Sequence, residues 1–303
     1  MKKISYIKSD DRAYNVERCL SLIKSEIMTG LRNARNIVIK PSCITSDYKL
    51  TATHVETLRS VLSFIKPYVK GQIFLAEGAR VGDTLAAFKN FGYLALQDEF
   101  GFSICDCNDD NSKSIDLLND DGTIWSAKIA NTVLQSDYLI SISSPKTDKN
   151  FLYAGAIENI TVGPLIREET VNKKPILQFL NKFLGKKNYK ELLVRNKKQF
   201  DNNLVKIYRR LPLRLSVIDG YELIQSNGGQ AGDKMFPAHF CIASSDPIAS
   251  DWLGCKITGI EPNEVSYISQ LLNNDQINYF IIGDDWQKDL LKLKLPSSSL
   301  SKL

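Results

Sequence analysis

The chain reads as an α/β protein: mostly parallel sheet flanked by helices, in two closely packed lobes. Three observations predict this. Short β-branched runs such as Ile37–Ile39 alternate with stretches of helical apolar spacing. Nearly every such run ends in a polar or Gly-containing loop. The length, 303 residues of which 43% are hydrophobic, supplies core for one large domain or two lobes. The alternation is that of βαβ units, for which parallel pairing is expected.

Taken in order, Ile37–Ile39 opens the first unit, and Pro41, which cannot donate to a ladder, closes its strand. Val55, Leu58, Val61, Leu62 and Ile65 then recur at helical spacing. A helix is predicted from Thr53 to Tyr68, with Thr53 as N-cap and Glu56 completing a capping box. Gly71 to Gly78 is a second strand, and Asp83 starts a helix through Asn90 that Gly92 closes. Asn131 to Ser143 repeats the rhythm, with a helix and then the strand Tyr138 to Ile142. Later strands are predicted at Leu215–Ile218, His239–Ala243 and Tyr279–Ile282. The Asp/Asn-rich stretch Asn108–Asp121 is the expected boundary between lobes 1–110 and 122–295, both parts of one α/β unit spanning 1–303. The tail 296–303 is expected to be disordered.

The net charge of +5 is unevenly spread: residues 165–214 hold 14 Lys/Arg against 4 Asp/Glu. Within that basic segment Leu177, Leu180, Phe183 and Leu184 keep helical spacing, so a solvated amphipathic helical segment is expected. Nucleic acid is not the expected partner, because aromatic interleaving is sparse and no nucleic-acid motif is present. No apolar run approaches the ~20 residues that span a bilayer. The N-terminus lacks a signal-peptide apolar core, so a cytoplasmic location is expected. Ser301-Lys302-Leu303 matches a peroxisomal address, which in a bacterial protein would be chance. The six cysteines are scattered, and no ferredoxin-type run holds an iron–sulfur cluster. Oligomeric state is left open.

In open α/β sheets ligands bind outside the carboxyl ends of strands, so polar residues there are the site candidates. Lys40 and Lys146, at two strand ends, can hold a phosphate or carboxylate. Asn227, Gly228 and Gly232 belong to a Gly-rich loop able to turn backbone N–H groups toward an anion. It is neither a dinucleotide fingerprint nor a P-loop. His54 at a helix start and Glu77 at a strand end suit proton transfer. Asp219 ends a strand beside Gly220. Asp246 precedes Pro247 as a helix cap, and Asp251 follows five residues on, ~140° around the helix. Asp219 and Asp251 are therefore the acids assigned to chemistry, with Asp246 orienting substrate. His239 opens an apolar strand and is read as structural. Two histidines without H-x-x-x-H or H-E-x-x-H spacing argue against a zinc hydrolase, and no G-x-S-x-G elbow is present.

Six segments together resemble the family called domain of unknown function 362. They are IVIKPSCIT from Ile37, TATHVETLRSVL from Thr51, DYLISISSPKT from Asp137, GAIENITVG from Gly155, SVIDGYELIQSNGGQAGDK from Ser216 and ASSDPIASDWLG from Ala243. The chain departs from the family pattern at Ser42, in place of asparagine, and at Glu158, in place of lysine. The segment Pro145–Asn150 lacks the family's histidine. Some relatives carry ferredoxin-like cysteines, which are missing here. The resemblance implies an α/β architecture and candidate positions, but no substrate. The expected function is a small-molecule enzyme acting on an anionic substrate at the strand-end cleft, with a divalent cation as one cofactor the carboxylates can hold. The alternative is a non-catalytic binding or accessory protein, an electron-transfer or maturation partner.

Overall fold

A computed structural model of the chain describes residues 2–148, 151–167, 189–225, 234–272 and 279–293. Its strands are β1 (Lys2–Lys8), β2 (Asn36–Pro41), β3 (Gln72–Glu77), β4 (Ser103–Asp106), β5 (Ser112–Leu118), β6 (Ile124–Ala130), β7 (Tyr138–Ser143), β8 (Lys146–Asp148), β9 (Leu152–Ala154), β10 (Leu213–Gln225), β11 (Lys234–Ser244) and β12 (Tyr279–Gly283). One 10-stranded sheet runs β12-β1-β11-β10-β7-β2-β3-β4, with the β8–β9 hairpin attached to β10. It takes strands from both of the expected lobes. Pairing is parallel from β10 through β7, β2 and β3 to β4, and between β1 and β12.

Strand β11 corrects the expectation of parallel pairing, because it runs antiparallel to both β10 and β1. Only residues 226–233 separate β10 from β11. A parallel return needs a crossover of about a dozen residues or more, whereas an antiparallel one closes as a hairpin. The connector Asn108–Asp121 is also not a bare link. It contains β5, which pairs with β6 in a separate antiparallel ribbon. Alternation buries Ile115 and Leu117 while Ser114 and Asp116 face outward.

Period-2 alternation divides the sheet between two principal cores. Ile37 and Ile39 enter one, beneath the helices Arg12–Leu22, Lys24–Leu31, Val55–Ile65 and Thr84–Asn90. Val38 enters the other, with the helices Ala156–Val162, Tyr189–Arg195, Phe200–Tyr208 and Ser266–Leu272. A third cluster packs the helix Pro247–Thr258 against Ile4, Tyr6, Phe240 and Ile242. The Leu177–Leu184 stripe, the Asn227–Gly232 loop and the tail 296–303 lie outside the described residues.

Strand order reverses at β2. From it the chain steps through β3 to β4 in one direction, while β7 and β10 lie on its other side. The helix after β2 covers one face and the helix after β7 covers the other. The carboxyl ends of β2 and β7 therefore flank the topological switch point, where α/β sheets open a crevice.

Asp246 and Asp251 are both fixed by helix termini. Asp246 caps its own helix, accepting from the N–H groups of Ile248 (3.0 Å) and Ala249 (3.4 Å), and its other oxygen meets Lys2 Nζ at 2.6 Å. Asp251 is fully buried and caps a different helix. Its oxygens accept from the N–H groups of Ala156 (2.7 Å) and Ile157 (2.9 Å). Gly155 has no room for a side chain, because a Cβ there would overlap the Asp251 carboxylate and the Tyr153 ring. Burial pushes the Asp251 carboxyl up from 3.8 to about 7, against the lowering effect of those two N–H groups.

Asp251→Ala leaves two buried N–H groups unmet, at about 1–3 kcal/mol each, and is expected to cost about 2–6 kcal/mol in denaturant unfolding. Between about pH 4 and 7 the folded chain holds a proton on Asp251 that the unfolded chain has released, so stability falls as pH rises through that window. Asp251→Asn is expected to flatten that fall, which unfolding measured across the range would show.

Candidate functional site

The switch point is built around one carbonyl and one amide. Ile142 O, near the end of β7, accepts from Thr53 Oγ1 (2.9 Å) and from Asn159 Nδ2 (3.3 Å). Thr53 also accepts the Ser42 N–H at 2.9 Å. This explains why Thr53 is not the cap predicted from the sequence: its hydroxyl is used in the sheet crevice. His54 caps the helix instead, its Nδ1 accepting from the Glu56 N–H at 3.3 Å.

One side of the crevice is a closed ionic network. Lys40 Nζ donates to Glu77 Oε2 (2.8 Å), Asn159 Oδ1 (2.8 Å) and Pro41 O (3.1 Å). Lys40 and Glu77 are 1% and 2% exposed. An ammonium has three donors, and all three are placed. Lys40, expected from the sequence to hold an anion, is met here by an anion the protein supplies, Glu77, and both charges are withdrawn from solvent. Gly163 keeps this arrangement possible, since a Cβ there would overlap Lys40 Cε and Nζ. Glu77 Oε1 accepts the Gly78 N–H at 2.7 Å, so neither of its oxygens is free to move a proton. Lys190, also buried, donates to Gly78 O. Burial lowers its pKa from 10.5 to about 8, opposed by the nearby Glu77 carboxylate. Lys146 lies within β8 and is buried, not presented on a loop. Its charge favours ionised Glu158, whose pKa burial nonetheless raises.

The other side is mixed in charge and only partly closed over, with His54 at its exposed end. Asp219, 3% exposed, accepts from Thr57 Oγ1 (2.6 Å) and the Tyr221 N–H (3.1 Å). Arg12 approaches Asp219 with Nε at 3.6 Å, donates from Nη2 to Glu222 Oε2 at 2.8 Å, and lies 4.5 Å from the Tyr221 ring centroid. Arg12 is 8% exposed, yet its buried Nε makes no hydrogen bond. Ser143 Oγ, at the end of β7, is likewise buried and unbonded. His54 is 43% exposed. Burial lowers its pKa below 6.5, and the Arg12 cation lowers it further, so at neutral pH the ring is an unprotonated base.

A β-bulge completes this rim. Gly220 pairs with Phe240 and Glu222 with Pro237, so Ala238 and His239 together face Tyr221. His239 adopts φ +59°, uncommon outside glycine. The imidazole stacks on Tyr221 at 4.4 Å and 12°, and its Nδ1 lies 2.6 Å from Asp10 Oδ1. Bulges re-aim side chains beside functional sites, and this one turns His239, expected to be structural, toward the rim.

Of the residues singled out from sequence, the structure brings His54 and Asp219 to one mouth. Lys40 and Glu77 form the adjoining closed network, Asp251 and Asp246 are capping residues elsewhere, and Lys146 is buried beside Glu158. Asn227, Gly228 and Gly232 lie outside the described residues. Among the described residues no three His, Cys, Asp or Glu groups gather as a metal site, and no helix is long and apolar enough to cross a membrane. Sequence reading missed Arg12, Thr57, Ser143 and Asn159. Only Arg12 carried a readable signal: Val16, Leu20, Ile23 and Ile27 follow Asp11 at helical spacing, which makes Arg12 a first-turn residue.

Glu77→Gln removes the charge that compensates buried Lys40, so a loss of about 3–5 kcal/mol in unfolding free energy is expected. The His54 ring, followed by NMR, is expected to titrate below 6.5, and Arg12→Gln is expected to move its midpoint upward by removing a repelling cation.

Among solved structures, the chain is similar to the lactate racemase apoprotein from Thermoanaerobacterium thermosaccharolyticum, at 17% identity and TM-score 0.47 over 86% of this chain and 58% of that one. It is also similar to a structural-genomics protein from Thermotoga maritima, at 11% identity and TM-score 0.46 over 84% and 60%. The chain thus spans about three fifths of the length of each. No curated protein matches it. The profile described as Domain of unknown function (DUF362) matches residues 37–256, from β2 into the helix Pro247–Thr258. The protein that carries this switch-point crevice belongs to the DUF362 family.

Proposed function

We propose that the mouth bounded by Arg12, His54, Ser143 and Asp219 takes a small anionic molecule and that His54 moves a proton on it. The observation that carries this reading is Arg12: a cation 8% exposed whose buried Nε stands 3.6 Å from Asp219 and makes no hydrogen bond. Burying a polar group without a partner costs about 1–3 kcal/mol. A ligand carboxylate or phosphate at Arg12 would supply the acceptor, and a guanidinium suits such oxygens in a two-pronged bond. Asp219 positions Arg12 and Thr57, to which its oxygens are already committed. His54 caps its helix through Nδ1, so in the neutral ring Nε2 carries the hydrogen, and His54 serves as the base by releasing that cap. Ser143 Oγ offers a further donor to the ligand.

The test uses small carboxylates and phosphate monoesters, screened against the full chain by thermal unfolding and then incubated in D2O. At least one is expected to stabilise the protein and to exchange a carbon-bound proton for deuterium, seen by NMR. Arg12→Gln is expected to abolish the stabilisation. His54→Gln is expected to keep binding and lose exchange. Stabilisation that survives Arg12→Gln would overturn the assignment of the mouth. Binding with no exchange at any pH would instead make this a non-catalytic binding protein.

A further inference from the structure

A group of cations lies near the amino end of β10, away from the switch point. A recess of about 390 Å3 is lined by Asn202, Val205, Lys206, Arg209, Arg210 and Gln270. Four of these residues follow the helix Phe200–Tyr208 and its end at spacings of four, three and one, which puts Asn202, Lys206, Arg209 and Arg210 on one stripe. Gln270 reaches the recess from the helix Ser266–Leu272. The inward face of the first helix is fixed by buried Leu204 and Ile207, so the basic stripe is held outward with Val205 at its base. Leu213, the first residue of β10, lies three positions after Arg210, whereas Asp219 and the switch point stand at the other end of the same strands.

The charge pattern calls for an external anion. Lys206 is followed by like charges at i+3 and i+4, pairs that each weaken a helix by a few tenths of a kcal/mol. Among the described residues no acidic side chain lines the recess and no ion pair engages Lys206, Arg209 or Arg210. A cation near a helix C-terminus complements the helix dipole. That accounts for one such residue, but not for three converging with two carboxamides on a shared hollow. Each carboxamide keeps a donor in reserve, because Asn202 Nδ2 and Gln270 Nε2 each make one hydrogen bond, to Gln199 Oε1 and Ser266 Oγ.

We propose that this recess binds a small polyanion carrying at least two phosphoryl groups. Arg209 and Arg210 each grip phosphoryl oxygens, Lys206 supplies a point charge between them, and Asn202 and Gln270 donate to the remaining oxygens. About 390 Å3 is more room than a single phosphate fills, and three unpaired cations outnumber the charge that one phosphate brings. This inference does not depend on the proposed chemistry at the switch point.

Pyrophosphate is the probe, titrated into the full chain by calorimetry, with phosphate and sulfate at matched ionic strength as comparisons. Saturable binding is expected, tighter for pyrophosphate than for phosphate or sulfate. Arg209→Gln and Arg210→Gln are each expected to weaken it by about tenfold or more. Gln270→Ala, which leaves net charge unchanged, is expected to weaken it less. Arg12→Gln is expected to leave it unaltered, which separates this site from the switch-point mouth. The proposal is overturned by any of four results: no saturable binding at millimolar pyrophosphate, equal binding of all three anions, loss of binding on Arg12→Gln but not on the arginine changes in the recess, or tight binding of duplex DNA with pyrophosphate inert.

Discussion

The carboxamide of Asn159 ties the centre of this protein together. Its nitrogen donates toward Lys40 O (3.1 Å), Ser141 Oγ (3.0 Å) and Ile142 O (3.3 Å), and its oxygen accepts from Lys40 Nζ. One side chain on the helix after β7 thereby holds β2 and β7 at the point where strand order reverses. Lys40 and Glu77 can be buried together only because Asn159 and Pro41 O take the remaining ammonium donors. Without them the desolvation of two charges would exceed their attraction. The same helix has its start fixed by Asp251, so an acid from the helix Pro247–Thr258 determines where Asn159 stands.

From that anchoring the electrostatics divide. On the Lys40 side all three ammonium donors of Lys40 have acceptors, and its charge is met by Glu77. On the Arg12 side the cation is shared between Asp219 and Glu222, faces Tyr221, and keeps a buried donor unused. A fully hydrogen-bonded network thus lies beside one in which a charge-paired cation keeps one buried donor without a hydrogen bond. The bulge at His239 belongs to the second class, a strained backbone position held by Ser9 and Asn15, which both donate to its carbonyl.

Much of the architecture was legible because it rests on periodicity. The strands at Ile37–Ile39, Gly71–Gly78, Tyr138–Ile142 and Tyr279–Ile282, and the helices after Thr53 and Asp83, were all visible as spacing of apolar residues. β5 was missed because its half-buried alternation contributes only Ile115 and Leu117, too few to stand out from an acidic stretch. β1 and the helix Arg12–Leu22 escaped for a different reason, the charged residues around them, although the apolar spacing was present. Within the site, His54 was found as a polar residue at a helix start, whereas Asp219, expected to end a strand, lies inside β10 beside its bulge. Arg12, Asn159 and Ser143 were not found, since nothing local marks a residue whose partners lie far along the chain.

By itself the sequence determined the α/β class, most element positions, the Asp246 and Asp83 caps and the membership implied by its strand-end segments. These depend on neighbours a few residues apart, through hydrogen bonds and apolar periods that any chain of this sequence carries. Only the tertiary structure decided that β11 runs antiparallel, that Lys40 is spent on Glu77, that Asp251 caps a distant helix and that Arg12 meets Asp219. The direction of β11 follows from how the strands assemble across a short connector. The other outcomes turn on which charges are desolvated together; burial is a property of the assembled sheet and helices, not of any segment within them.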